Sequence, residues 1–286
     1  PLYVAARDWQ HDASWSNYFA EFGLSRAQQN AFLAAVPHVL EQGPLSRLQL
    51  ADAAAKHTGV ANVHDLILSS SWGTPLKPSA YRGELCFGPG QGQSATFMNP
   101  KGWMGTWQPI EPKLALQEMA RRYLQAYGPA TSDDFAFWWG CAKTRAKKLF
   151  QSLAEEVEEV EVEGWRALAL RATLPLIQSV EPAEAVHLLP LFDAYTIGAS
   201  PRGCEPLLAA AYKRQVFNLQ GWTFAVILVN GSIQGVWQYA TRRLQTIVKV
   251  RLFSSPTTMI RKGIEAEAER LCAFFKTSVL LEYEHP

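Results

Sequence analysis

Apolar residues recur every three or four positions along residues 24–42, a spacing that predicts an amphipathic helix. Ser25 can cap its start, and Gly43-Pro44 ends it. Two further helices are predicted, over 48–57 and from about 64 towards 71. The face of the first helix that we expect to be buried carries Ala31, Phe32, Ala35, Val36, Val39 and Leu40.

Two short strands, 85–88 and 94–98, follow these helices and flank the loop Pro89-Gly90-Gln91-Gly92-Gln93. Three helices followed by a two-stranded hairpin is the element order of a winged helix-turn-helix unit. The glycine-rich loop is then the wing. Such units place their last helix in the major groove of DNA.

The same order of elements recurs further along the chain. Helices are predicted over 114–127, 133–139 and 143–153, with Ser132 as the cap of the second, and strands over 157–162 and 166–170. The amino acids of the two copies diverge, so this repeat is inferred from the order of elements alone.

A different pattern begins at residue 186. Strands are predicted over 224–229, 232–239, 244–253 and 278–283, with an Asn230-Gly231 hairpin turn and a helix over 257–275. The predicted fold is therefore α+β, with tandem winged helix-turn-helix units followed by a C-terminal β-rich, barrel-like unit with one long helix.

Four domains are expected along the 286 residues. They are the end of a truncated first winged helix (1–23), a second winged helix (24–110), a third (111–185) and the C-terminal β-rich unit (186–286). Residues 1–6 have the composition expected in the interior of a strand, and the sequence has no initiator Met. We therefore expect upstream sequence to be missing.

Composition indicates a folded globular protein, because 48% of residues are hydrophobic and 12% aromatic. Apolar runs are too short for a membrane span, and no signal peptide is visible, so a cytoplasmic monomer is expected. Scattered cysteines and histidines without ligand spacing predict no metal, and P-loop, GxGxxG, HExxH and GxSxG motifs are absent, so no cofactor is expected.

The net charge is only +1, but it is unevenly distributed. No Asp or Glu lies between Glu205 and Glu265, a stretch with eight basic residues: Lys213, Arg214, Arg242, Arg243, Lys249, Arg251, Arg261 and Lys262. A one-sided cationic surface suits DNA phosphates. Alternatively, some of these cations pair with acids elsewhere, such as those of the 155–163 run.

A second basic cluster, Lys143, Arg145, Lys147 and Lys148, lies near the start of the predicted recognition helix of the third winged helix. It either contacts DNA or forms a solvated helix face. In the wing, Gln91 and Gln93 can hydrogen-bond phosphates, sugars or base edges, although a flexible turn explains them equally well.

Two groups of acids are candidates for other roles. Glu155, Glu156, Glu158 and Glu159 are either paired carboxylates for hydrolysis or, as we favour, a solvated helix end. Asp193 lies among apolar neighbours and is either structural or functional, because a buried Asp must be hydrogen-bonded or paired.

Four segments in register over about 43–237 resemble the winged-helix DNA-binding family that includes the AlkZ-type DNA glycosylases. They are Arg82-Gly83 to Phe97; Tyr127-Gly128-Pro129-Ala130-Thr131 with Asp134-Phe135-Ala136 and Trp139-Gly140; Leu188-Leu189-Pro190 with Phe192-Asp193, Tyr195, Gly198 and Arg202; and Gly221-Trp222 through Val229-Asn230-Gly231 with Gly235-Val236-Trp237.

The resemblance implies three tandem winged helices and a C-terminal β-rich unit in a C shape around double-stranded DNA. It also implies cofactor-free hydrolysis of the N-glycosidic bond of alkylated or crosslinked purines, with a Gln-(aliphatic)-Gln catalytic motif in the first winged helix. Gln91-Gly92-Gln93 has that spacing but lies in the second wing, so the catalytic motif is expected upstream of residue 1.

The sequence therefore predicts a DNA-repair glycosylase. The alternatives are a non-catalytic DNA-binding protein, such as a transcriptional regulator, and a protein-interaction module. The expected DNA-binding residues are Arg82, Gln91, Gln93, Lys143, Arg145, Lys147, Lys148, Arg202, Arg242, Arg243, Lys249 and Arg251.

Overall fold

The computed structural model describes residues 2–7, 13–70, 73–92, 94–105, 108, 110–162, 164–181, 184–198, 207–217, 223–242 and 245–284. The chain forms two compact units, Pro1–Arg122 and Tyr123–Pro286. The elements up to residue 104 are α1 (Leu2–Ala6), α2 (Ala13–Glu21), α3 (Arg26–Val39), β1 (Leu45–Ser46), α4 (Arg47–Thr58), α5 (Asn62–Ser69), α6 (Lys77–Tyr81), β2 (Cys86–Phe87), β3 (Thr96–Met98) and α7 (Lys101–Met104).

Mixed helices and strands make up the rest of the chain. They are α8 (Pro112–Tyr127), α9 (Ser132–Trp139), α10 (Lys143–Gln151), β4 (Val157–Val162), β5 (Trp165–Leu170), α11 (Leu174–Ser179), β6 (Val186–Leu189), α12 (Ala194–Gly198), α13 (Lys213–Val216), β7 (Val226–Val229), β8 (Ser232–Arg242), β9 (Gln245–Leu252), α14 (Thr258–Phe275) and β10 (Ser278–Glu284).

The core of the first unit lies between α3, α4 and α5. Phe32 and Val36 of α3 meet Leu50 of α4 and Leu66 of α5, and all four side chains are fully buried. Ala31, predicted to be buried, is exposed instead. The buried stripe of α3 centres on Phe32 and Val36, and Ala31 lies about 100° around the helix from Phe32.

The hairpin of the first unit joins a three-stranded sheet in the order β1-β3-β2. Leu45 of β1 pairs with Phe97 of β3, and Cys86 of β2 pairs with Met98. The chain therefore runs helix, short strand, two helices, the short helix α6 and then the hairpin, and β3 lies between β1 and β2 in the sheet.

Residues 112–170 repeat this arrangement in α8, α9, α10, β4 and β5. β4 and β5 form an antiparallel hairpin, and Ala130, between α8 and α9, forms an isolated bridge with Leu168 of β5. Ala130 thus takes the place that β1 has in the first unit. The predicted recurrence of helices and hairpin is confirmed at the level of these elements.

The middle helix of each repeat begins with a capping box. Ser46 and Gln49 form it in α4, and Thr131 and Asp134 form it in α9. The Thr131 side chain accepts from the Asp134 amide at 3.2 Å, while the Asp134 carboxylate accepts from the Thr131 amide at 2.9 Å. The prediction that Ser132 caps this helix is therefore wrong, because the reciprocal bonds begin one residue earlier.

The C-terminal part of the second unit is a five-stranded sheet in the order β10-β9-β8-β7-β6. β10 is parallel to β9, and the other neighbours are antiparallel. The predicted strands and long helix are confirmed, but the barrel-like description is not. Among the described residues the sheet is open, because its edge strands β6 and β10 do not pair with each other. The helix α14 connects β9 to β10 and allows β10 to run parallel to β9.

One face of this sheet is covered by α14. Ile264 of α14 packs in one cluster with Val248 and Val250 of β9 and Ile227 of β7. Side chains alternate along a strand, so Lys249 and Arg251 lie on the other face of the sheet.

Two further predictions are wrong. Residues 2–6 form helix α1 rather than a strand, since a short apolar run does not by itself distinguish the two. The acidic run is not a helix end either, because α10 ends at Gln151. Glu158 and Glu159 lie on β4 and pair with Arg171 at 2.6 Å and Arg166 at 3.1 Å.

Candidate nucleic-acid interface

Helix α10 presents a basic face to solvent. Ala146, Leu149 and Phe150 are its buried residues, and they hold the helix against the protein. The four basic side chains on the remaining surface are exposed: Lys143, Arg145, Lys147 and Lys148. Because burial of one apolar stripe orients the helix, the structure brings the whole predicted cluster to one surface.

The cations of this face differ in their surroundings. Lys143 forms an ion pair with Asp133 of α9, Nζ to Oδ2 2.5 Å. Lys147 and Lys148 form no ion pair with any residue that the structure describes. These two ammonium groups therefore remain available to phosphate oxygens.

The hairpin of the first unit, predicted to be a wing, is narrow. The backbones of Gln91 and Ser94 exchange two hydrogen bonds of 3.0 Å at its tip, and the Gln91 residue is exposed. Phe87 is 74% exposed and stacks on Phe97 with 5.5 Å between ring centroids. Gln93, the other predicted contact, lies outside the described residues.

Arg82 is held at the base of this hairpin. Its side chain is 27% exposed and lies 3.9 Å from the Glu84 carboxylate, Nη1 to Oε2. Burial raises the pKa of Glu84, while the positive charge of Arg82 opposes that rise. The geometry thus shows a role for Arg82 in local charge pairing, and its predicted DNA contact remains untested.

Lys249 and Arg251 lie two residues apart on β9. Lys249 is shared between Glu282, at 3.5 Å, and Glu284, at 4.0 Å, both on β10. Arg251 makes no ion pair with the residues that the structure describes. Of the cations in the stretch without acids, Lys249 thus has its partners in β10 rather than in the 155–163 run.

Three of the predicted DNA contacts lie outside the described residues: Arg202, Arg243 and the side chain of Arg242. Of the remaining basic residues in the stretch, Arg261 places its guanidinium 5.1 Å from the centre of the Tyr283 ring. The structure therefore groups the α10 cations with one another, and Lys249 with Arg251.

Asp193 organises the start of α12. Its Oδ1 accepts hydrogen bonds from the amides of Tyr195, at 2.9 Å, and Thr196, at 3.3 Å. Hydrogen bonds to free amides at a helix start are what a capping carboxylate provides. The geometry therefore shows Asp193 as the cap of α12.

Tyr127 joins two of the recognised segments, a contact that sequence reasoning missed. Its hydroxyl donates to the carbonyl of Ala194 at 3.1 Å. A Cβ on Gly198 would lie 2.4 Å from the Tyr127 ring, so the absent side chain makes room for the tyrosine. The motif residues Tyr127 and Gly198 are the signal, but only the fold brings together positions so distant in sequence.

Replacing Asp193 by Ala is expected to lower the free energy of unfolding by about 0.5–2 kcal/mol, the usual cost of removing a helix cap. Asp193→Asn keeps an oxygen acceptor and is the matched control, with a smaller expected loss. Urea unfolding monitored by circular dichroism measures both. Equal losses would contradict the capping role.

Among the described residues, no three His, Cys, Asp or Glu side chains come together as metal ligands would. None of the described helices combines the length and apolar character that crossing a membrane requires.

The chain matches one family of known proteins and a named relative. The sequence profile of a family described as "DNA glycosylase AlkZ-like" matches residues 2–274. The Interstrand DNA cross-link repair glycosylase of Streptomyces sahachiroi is 34% identical over 206 residues, which are 70% of this chain and 54% of that protein. The chain thus spans about half the length of that relative.

A solved structure gives the same result. The chain is similar to the Streptomyces sahachiroi DNA glycosylase AlkZ, with a TM-score of 0.78 and 27% identity over 100% of this chain and 76% of the other. The mixed α+β fold with its C-terminal sheet is shared with that protein. With a profile that covers nearly the whole chain, these matches show that the protein belongs to the AlkZ-like DNA glycosylase family.

Proposed function

We propose that this chain binds double-stranded DNA within a DNA-repair glycosylase that hydrolyses the N-glycosidic bond of alkylated or crosslinked purines. The observation that carries the proposal is the exposed basic face of α10 in a chain of this family. A relative with 34% identity bears the name Interstrand DNA cross-link repair glycosylase, which supports the same substrate class.

The two repeats are proposed to be winged helix-turn-helix units, with α5 and α10 as their third helices. Each has the required order of helices, short strand and hairpin. The helices differ in charge, however. α5 contains no Lys or Arg, and its His64 lies 3.3 Å from Asp52 and 3.1 Å from Asp65. Of the two, α10 is therefore the helix that contacts DNA phosphates.

The proposed reaction does not require a strong base. Alkylation at N7 makes a purine cationic and a good leaving group, so a positioned water and stabilisation of an oxocarbenium-like sugar suffice. The role of the described chain is to bind and orient the duplex through α10 and the wings. We assign the catalytic step to none of its described residues.

Excision tests the proposal. The complete gene product is incubated with duplex DNA that contains N7-methylguanine, and abasic sites are quantified after alkaline cleavage. Cleavage above the spontaneous rate is expected, with none on the same duplex containing guanine. Absence of excision while salt-dependent duplex binding persists would overturn the glycosylase and leave a non-catalytic DNA-binding protein.

A further inference from the structure

A cavity of about 530 Å³ opens on the C-terminal sheet, within the second unit. This volume falls within the range of about 300–1,000 Å³ that is typical of sites for small ligands. Phe224 and Leu191 contribute apolar lining, and Gln238, Lys249, Arg251 and Glu284 contribute polar lining. The cavity therefore combines an apolar wall with a polar, hydrogen-bonding wall.

Strand register explains why the polar groups lie together. Gln238 of β8 is paired with Lys249 of β9, and Val236 is paired with Arg251. Directly opposite side chains have Cβ atoms about 5 Å apart, and alternate residues along a strand lie about 7 Å apart on one face. The amide and the two cations thus occupy neighbouring positions on the face away from α14.

The polar wall has unused binding capacity. Lys249 is already shared by Glu282 and Glu284. Arg251 makes no ion pair within the described part of the chain, and the Gln238 amide makes no hydrogen bond there. A guanidinium and an amide therefore face the cavity with donors available, next to a lysine that is largely neutralised.

The apolar wall offers a surface for a ring. Phe224 is 38% exposed and Leu191 is 48% exposed, although both line a cavity. An aromatic side chain that is accessible from a cavity can stack with a nucleobase, which contributes about 1–3 kcal/mol per base.

We propose that this cavity binds a single nucleotide, with the base against Phe224, its edge at the Gln238 amide, and the phosphate at Arg251. Guanidinium groups bind phosphate through charge-assisted hydrogen bonds, and Gln amides bind base edges. Two cations and one carboxylate, Glu284, line the cavity. Because Glu282 and Glu284 both pair with Lys249, Arg251 is the cation that remains for the phosphate among the described lining residues.

The nucleotide can be free in solution or unstacked from a DNA strand, since both present a base and a phosphate. The second source rests on the proposed function, because it requires that the chain bind DNA. Extruding a base from a duplex costs a few kcal/mol, and the cost is smallest where the base is already unpaired.

Calorimetric titration of the intact protein with dAMP, deoxyadenosine and inorganic phosphate tests the site. We expect dAMP to bind at least tenfold more tightly than either fragment. Arg251→Met and Phe224→Leu should each weaken dAMP binding at least tenfold. Arg270→Met removes a guanidinium from α14 and is the matched control, with no expected change. Wild-type protein that does not bind dAMP, or an Arg251→Met variant that binds it equally well, would overturn the proposal.

Duplex binding distinguishes the two sources. Two duplexes of one sequence are compared, one fully paired and one with a single bulged deoxyadenosine. Preference for the bulge that is lost in Arg251→Met identifies a nucleotide of the DNA strand, whereas dAMP binding without that preference identifies a free nucleotide. Failure of N7-methylguanine excision would remove the glycosylase proposal and leave dAMP binding unaffected, so the two failures are distinguishable.

Discussion

Replacing Lys147 and Lys148 together by Gln is expected to weaken binding of duplex DNA by roughly ten- to a hundredfold at about 0.1 M salt. Both side chains are exposed on α10 and have no ion-pair partner among the described residues. Each phosphate contact releases counterions, so the slope of log Kobs against log salt should become shallower by about 2. Fluorescence anisotropy over a salt series measures both quantities.

A second double variant separates the effect of losing a local contact from the effect of lowering the net charge. Lys56→Gln with Lys113→Gln removes the same charge from two exposed positions outside α10. We expect it to change the affinity less than threefold, as a screened long-range effect. If the two double variants weakened binding equally, α10 would not be the DNA-contacting helix.

Phe135→Ala is expected to lower the free energy of unfolding of the second unit by about 3–5 kcal/mol. Phe135 is fully buried on α9. The distances from its ring centroid to those of Tyr123, Trp138 and Phe150 are 5.3, 5.9 and 5.5 Å. Its removal leaves a cavity beneath α9 and α10 that rigid aromatic neighbours cannot fill. Chemical denaturation measures the loss.

Phe137→Ala is the matched control for this substitution, because Phe137 lies on the same helix and is 54% exposed. We expect it to cost less than about 1 kcal/mol, since much of its ring is already in water. Equal losses in the two variants would contradict the assignment of Phe135 to the core.

Local signals predicted helices at α3, α4, α5, α8, α9, α10 and α14, but not at α2 or at the short helices. α4 begins after Ser46 and ends at Gly59, whose left-handed φ of 68° a glycine adopts without strain. At α9, by contrast, Thr131 and Ser132 are both good caps, and only the Asp134 carboxylate three residues after Thr131 decides between them. A choice between adjacent caps depends on such reciprocal bonds.

Non-local pairing explains why the architecture of the sheet was not predicted. The strands of the C-terminal unit were recognised individually, but an open sheet and a barrel differ only in which edges pair. β10 joins β9 in parallel after the whole of α14, and that register brings Glu282 opposite Lys249. The sequence pattern showed eight cations in one stretch but not that the acids that pair with Lys249 lie on another strand.

The candidate site was predicted only in part, because some of its contacts also depend on residues that are distant in sequence. The α10 cluster is contiguous in sequence, so helical periodicity suffices to place it on one surface. Arg82 was expected to contact DNA, yet its neighbour Glu84 lies within ion-pair distance. The cavity beside Arg251 depends on the register of β8 and β9, which no local pattern reveals.

The most direct measurement is single-turnover excision of N7-methylguanine from duplex DNA by the complete gene product, with and without the Lys147→Gln and Lys148→Gln substitutions. If α10 binds the duplex for a glycosylase, the rate at subsaturating protein should fall by the same factor as the affinity, while the saturated rate stays unchanged. Absence of excision by the wild-type protein, or equal subsaturating rates for both proteins, would contradict the account.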